Sequence, residues 1–199
     1  GFTTDGKEND VPLRKPERDY KTDDYYVGDQ TRKIIEQQCF QINGKKALLF
    51  STTNDSLVVV GDSEFYVCRI CGYADEKEIP VPHKNPSGFN CTYNSSNVPL
   101  KVKLSHDFKT DVVKIYFLDG RARDRYLMLS VMYALLEGLS RSMGIERNDI
   151  KGCLHLETTE IGLIYTLILY DAVAGGAGHV RRMVTSDGKA FMQVINTAI

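Results

Sequence analysis

The chain has 199 residues, 42% of them hydrophobic and 26% charged, which is enough to bury a core without disulfide staples. Its 25 Lys and Arg against 26 Asp and Glu leave a formal charge of −1, excluding a strongly basic nucleic-acid sleeve while leaving room for a local patch. Five cysteines, an odd count, argue against a secreted disulfide framework and for a reducing, cytoplasmic setting with a metal; no apolar run of about 18 residues supports a membrane role.

Residues 1–30, rich in Asp, Lys and Tyr and without periodicity, read as an extended arm ahead of an α+β domain over 31–199. Residues 31–39 suggest a short helix. Turn signals at Asn43-Gly44, Asn54-Asp55-Ser56 and Gly61-Asp62 separate apolar runs at 46–50, 57–60 and 64–67, the pattern of an antiparallel meander. The chain then loses periodicity between Tyr73 and Pro99, a stretch rich in Pro and Asn and long for a passive loop.

Cysteine chemistry accounts for that stretch. Cys68-Arg69-Ile70-Cys71 places two thiolates on either side of a tight turn, and Gly72 supplies the backbone freedom such a knuckle needs. His83 and Cys91 complete a four-ligand set that favours structural Zn²⁺, with no position left for substrate. A zinc-knuckle excursion over 65–95 is therefore expected to be inserted in the domain. Cys39 and Cys153 stand apart.

Asp111–Leu118 reads as a strand, and the apolar spacing from Asp124 to Met143 as a broad amphipathic helix ending at Gly144. In that helix Tyr126, Leu129, Met132, Tyr133, Leu136 and Leu139 mark the stripe. Ile150–Leu156 and the almost wholly apolar Gly162–Tyr170 read as two more strands, the second central and covered on both faces. A glycine loop, Gly175-Gly176-Ala177-Gly178, leads into a helical stretch near His179, and Phe191–Ile199 resembles a helix interrupted mid-course, as in a piece of a longer protein. The expected fold is α+β: a mixed or antiparallel sheet with packed helices and an inserted zinc knuckle.

Three further groups bear on function. The glycine loop lacks a phosphate-loop lysine and dinucleotide spacing, yet its amides at a helix start can receive a phosphate or a carboxylate. His106, Asp111, Asp171 and His179, with Glu157, are the remaining candidates for a second polar or metal-dependent hydrolytic site if their strands are neighbours. Lys101, Lys103, Lys109, Arg121, Arg123 and Arg125 form a local cationic excess suited to phosphate contacts. Tyr66, Tyr73, Phe89 and Tyr93 near the knuckle can stack on bases where exposed.

The knuckle Cys68-Arg69-Ile70-Cys71-Gly72 with His83 and Cys91, the segment Leu104–Val112, and the segment Leu169–His179 together resemble the domain of unknown function 1998 family. These are C-terminal domains of DEAD/DEAH-box superfamily 2 helicases, among them the zinc-binding domain of mitomycin-repair helicases and phage-defence relatives. The resemblance runs over roughly residues 65–185. It implies a non-enzymatic module that accompanies a helicase motor in cis or trans, guides DNA, with RNA left open, or docks domains in a repair or phage-defence complex. It also implies a second cysteine-rich segment beyond the glycine loop, where this chain has no cysteine after Cys153. No Walker lysine loop or Asp-Glu-x-His box is present, so these residues carry no ATPase motor. A metal-dependent hydrolase and a protein-binding scaffold are the competing readings.

Overall fold

The computed structural model of the chain describes residues 22–28, 36–42, 44–184 and 187–198. Most of the expected arm lies outside the described residues; within it, Thr22–Tyr26 forms strand β1. The described residues divide into two compact units, a smaller one over 61–102 and a larger one formed by those of 23–60 and 103–198.

In the larger unit the strand order is β1-β3-β5-β7-β6, with β2 also paired to β3. These are β2 (Glu36–Ile42), β3 (Lys45–Val67), β5 (Leu100–Phe117), β6 (Ile150–Thr159) and β7 (Gly162–Asp171). Every pairing with a described register is antiparallel, from Cys39↔Leu48 to Val113↔Leu169 and Cys153↔Ile168. The fold is thus α+β on an antiparallel sheet.

Two local expectations are corrected. The short helix over 31–39 gives way, in its described part, to β2, because residues 36–42 find ladder partners on β3. The meander over 46–67 is one 23-residue strand. Asn54 takes the left-handed φ of 53° that its turn signal anticipates, yet the neighbouring Asp55 carboxylate ties Thr52 Oγ1 (2.8 Å) and the Ser56 amide (2.9 Å), so the chain kinks without reversing. Gly61-Asp62 also passes through as extended backbone.

Helix α1 (Arg125–Met143) starts where the Asp124 carboxylate accepts from the amides of Tyr126 and Leu127, and stops at Gly144 in the left-handed conformation, φ 63°. Its buried stripe is Met128, Met132, Leu135, Leu136 and Leu139, packed with Val113, Ile115, Leu167 and Leu169 from the sheet. Each such side chain contributes roughly 1.5–3 kcal/mol on full burial. The stripe is narrower than its sequence suggests: Tyr126 and Tyr133 are exposed. Helix α2 (Lys189–Ala198) packs against α1 at Gly138, where an added Cβ would lie 2.4 Å from the Val194 carbonyl oxygen. The opposite face of the sheet buries Leu57, Val112, Cys153, Ile168 and Tyr170, with Tyr26 of β1 and Phe108 packed on them. β7 is therefore covered on both faces, as its apolar run requires. In place of a helix beginning near His179 there is a four-residue 3₁₀ turn, Val180–Met183, with α2 starting after Gly188.

The smaller unit has little regular structure. Strand β4 (Ala74–Asp75) pairs with Tyr66 and Val67 at the end of β3, and Lys84↔Asn90 forms an isolated bridge. Its core is Cys68, Ile79 and Tyr93, with Tyr66, Cys71, Tyr73 and Cys91 packed around them. A core of that size holds a loop only with added cross-links.

Candidate metal centre

The first two ligands come from a tight turn. The Gly72 amide closes onto Cys68 O (2.9 Å), the Cys68 amide donates to Tyr73 O (2.8 Å), and Gly72 takes the positive φ of 77° that the turn demands. The other two come from a hairpin in which the Cys91 amide donates to His83 O (3.0 Å). The ligand atoms of Cys68, Cys71, His83 and Cys91 all lie within 4.8 Å of one another. Cys68 Sγ is 3.8 Å from Cys91 Sγ, and Cys71 Sγ is 3.3 Å from His83 Nε2. Around a tetrahedral zinc the corresponding edges are ~3.8 and ~3.6 Å. The donor set fits Zn²⁺: all three thiols are free, Cys68 and His83 are buried, and four ligands fill the sphere.

Groups around the ligands prepare them. His83 Nδ1 lies 3.0 Å from Pro80 O, which fixes the ring with Nε2 towards the thiolates. The amides of Ile70 and Tyr93 each approach a ligand sulfur at 3.4 Å. Burial opposes ionisation of Cys68 but is outweighed by hydrogen bonds from the Cys71 and Ile70 backbone, so its thiol falls to about 7; burial pushes Cys71 up. Tyr73 and Tyr93 cover the imidazole, with ring centroids 5.1 and 5.4 Å from it. Sequence reasoning missed the Pro80 carbonyl, since a backbone acceptor leaves no residue-type signature.

Among the described residues this is the one group of three or more His, Cys, Asp or Glu side chains placed to share a metal ion. His106, Asp111, Asp171 and His179 do not form another. Asp111, within β5, and Asp171, the last residue of β7, do come together beside the Val112↔Tyr170 pair, but their carboxylates serve the glycine loop. Asp171 accepts from the amides of Ala177 (2.6 Å), His179 (3.0 Å) and Val180 (2.9 Å), and Asp111 accepts from Gly178 (3.0 Å) with Arg181 Nη1 at 3.9 Å. The Gly175 amide donates to Lys109 O and that of Gly176 to Val173 O. Each amide from 175 to 180 is therefore occupied inside the chain, and the phosphate-binding reading of the loop is corrected: the anions it receives are two buried aspartates. His106 lies on an exposed stretch of β5, stacked with Phe108 at 6.4 Å.

The cationic candidates separate. Arg121 donates through Nε and Nη2 to the one oxygen Asp119 Oδ2 (3.1 and 3.0 Å), Arg123 donates to Ile161 O, and Lys101 lies over the Tyr66 ring at 5.2 Å. Lys109 and Arg125 are exposed, as is Lys103. A polar network unsuspected from sequence lies on the second sheet face. Lys114 Nζ is 3.4 Å from Glu157 and sits over the rings of Tyr26 and Tyr116, while Tyr170 donates to Asp24 and Tyr26 to Asp55 (2.9 Å). Its members are scattered over five strands, so no local motif announces it. Cys153 beside it is pushed by burial to about 12, which makes it an inert thiol.

Residues 131–199 match the family model described as the MrfA Zn-binding domain. The four metal-cluster residues precede that segment, which contains one cysteine, Cys153. No curated protein matches the chain. Among solved structures, the crystal structure of the DUF1998 helicase MrfA bound to DNA aligns at a TM-score of 0.45 and 16% identity, covering 92% of this chain and 21% of that one. The chain thus spans about a fifth of that helicase's length. No helix among the described residues is long and apolar enough to cross a membrane.

Proposed function

We propose, taking as premise the match of residues 131–199 to the MrfA Zn-binding domain model, that the chain is a non-catalytic accessory module of a nucleic-acid-dependent helicase, one that guides the nucleic acid beside the motor. The observation that carries this reading is the use to which its reactive groups are put. Four ligands close the metal sphere, and Asp111 and Asp171 are committed to the glycine loop. Neither cluster leaves an open position where substrate or water is activated. The zinc contributes a rigid cross-link: Cys68 and Cys71 hold one turn, His83 and Cys91 the base of a hairpin.

Incubating the chain with single- and double-stranded oligonucleotides and Mg²⁺ tests this. The expected result is retention of nucleic acid without cleavage. Cleavage abolished by His106→Ala or His179→Ala would sink the proposal in favour of a hydrolase.

Docking onto a motor domain has an observation of its own. A cavity of about 170 Å³ opens between the end of β5 and α1, lined by Ile42, Phe117, Leu127 and Val131 with Lys45 and Arg121 at its edge. Such a concave apolar site suits a protruding side chain of a partner surface. A motor protein whose association is lost in Val131→Arg would support docking as a second role, and undiminished association would remove it.

A further inference from the structure

The hairpin closed by His83 and Cys91 ends in a tip whose shape is fixed from both sides. At its base the Cys91 amide donates to His83 O, Lys84 bridges Asn90, and the metal ligands anchor both arms. At its turn the Asn85 amide donates to Phe89 O (2.8 Å), the Gly88 amide to Asn85 O (2.8 Å), and the Asn85 side chain accepts from the amides of Ser87 (3.1 Å) and Phe89 (2.9 Å). This order serves to display one large apolar side chain: Phe89 is 71% exposed. The three other aromatic residues near the knuckle are engaged. Tyr93 is buried, Tyr73 covers His83 and donates to Asp75, and Tyr66 lies beneath Lys101.

Charge identifies what the tip meets. The chain contains 26 Asp and Glu, yet residues 79–102 contain none, while Lys84 and Lys101 fall within them and Asn recurs at 85, 90, 94 and 97. A segment free of acids, carrying exposed Lys84, amide side chains and one protruding ring, complements a polyanion that offers π-faces. An apolar protein groove would call for no such purge of carboxylates.

We infer that the metal-braced hairpin 83–91 is a stacking element for single-stranded nucleic acid, with Phe89 as the ring on which an unpaired base rests and Lys84 facing the backbone phosphates. The inference rests on the nucleic-acid reading above and assigns that reading a contact. Stacking on an aromatic face tolerates any base, so the element grips strand without reading sequence. The brace matters because a ring on an ordered hairpin binds without first having to be immobilised.

The chain has no Trp, so Phe89→Trp introduces a sole indole at the tip. In the zinc-loaded full chain, titration with an oligothymidylate of about 12 nucleotides is expected to quench that indole. Phe89→Ala is expected to weaken binding of the same strand roughly 5- to 150-fold, and Phe89→Tyr to preserve it, all with zinc content unchanged. If wild type and Phe89→Ala bind alike and the indole is unquenched, the hairpin inference is overturned and the nucleic-acid reading stands. If wild type does not bind the strand, both fall. Should Phe89→Ala lose its zinc, the Phe89→Trp titration decides alone: quenching supports the contact and its absence overturns it.

Discussion

Gly176 faces Asp111 so closely that a Cβ added to it would lie 2.5 Å from Asp111 Cγ and 2.8 Å from the Asp111 amide nitrogen. The glycine loop is thus a lid of backbone amides pressed onto two buried carboxylates, and its glycines differ in purpose. Gly176 and Gly178 both take positive φ, 74° and 76°, but an added Cβ on Gly178 meets nothing within 4 Å. Gly178→Ala is expected to cost about 1–2 kcal/mol, the left-handed penalty alone. Gly176→Ala should exceed it by at least about 1 kcal/mol through steric overlap with a group that cannot retreat. Urea unfolding of the two variants measures the difference; equal losses would show that the carboxylate contact does not constrain the loop.

A third glycine, Gly138, reverses the sign usual for an exposed helical position. In an exposed helix Gly→Ala stabilises by about 1 kcal/mol. Gly138 of α1 is buried against α2, and a methyl there would lie 2.4 Å from Val194 O and 2.9 Å from Ala198 Cβ. Gly138→Ala is therefore expected to destabilise, by roughly 1–3 kcal/mol, lowering the thermal midpoint. A raised midpoint would mean that α2 does not dock where it is described.

Thiol reactivity sorts the five cysteines. Cys39 is exposed, Cys153 is buried with its thiol pushed up to about 12, and the other three share the metal site. Native alkylation at pH 8 should modify Cys39 alone, since zinc-bound thiolates and buried thiols react slowly. A chelator should then expose Cys68, Cys71 and Cys91 while Cys153 stays unmodified. Mass spectrometry of the peptides distinguishes this from labelling of all five.

Asp119 ties the turn before α1. Its carboxylate accepts from the Arg121 amide (3.0 Å), pairs with the Arg121 guanidinium, and lies 3.4 Å from Lys45, which together hold its pKa near 2. A depressed carboxylate contributes stability that is present above the ordinary range near ~3.9 and is lost as pH falls through the folded value. Asp119→Asn should therefore lower the thermal midpoint at neutral pH, with the gap to wild type closing as pH falls from about 4 towards 2. A gap that persists unchanged to the acid end would assign the effect to the side chain's shape.

Much of this was legible in the sequence because it is written locally. The spacing of Cys68, Cys71, His83 and Cys91 gave the ligand set, and the Asp124 and Gly144 signals gave both ends of α1. The almost wholly apolar run of β7 marked it as an interior strand. What local signals could not convey was use by distant partners. Asn54 looks like a turn and becomes a kink because β3 has neighbours to pair with. Residues 36–42 pass for helix until β3 supplies a ladder. The loop amides invite a phosphate until Asp111, more than 60 residues earlier, occupies the Gly178 amide. Tyr126 and Tyr133 match the spacing of the buried stripe yet remain exposed, because periodicity does not say how wide a face the sheet covers.

The central claim is that Cys68, Cys71, His83 and Cys91 hold one structural zinc. X-ray absorption at the zinc edge, on protein purified without chelator, tests it most directly. The account predicts one zinc per chain with three sulfur neighbours near ~2.3 Å and one nitrogen near ~2.0 Å, and loss of that signal in Cys91→Ser. A zinc-free protein, or a zinc whose neighbours are unchanged by Cys91→Ser, would contradict it.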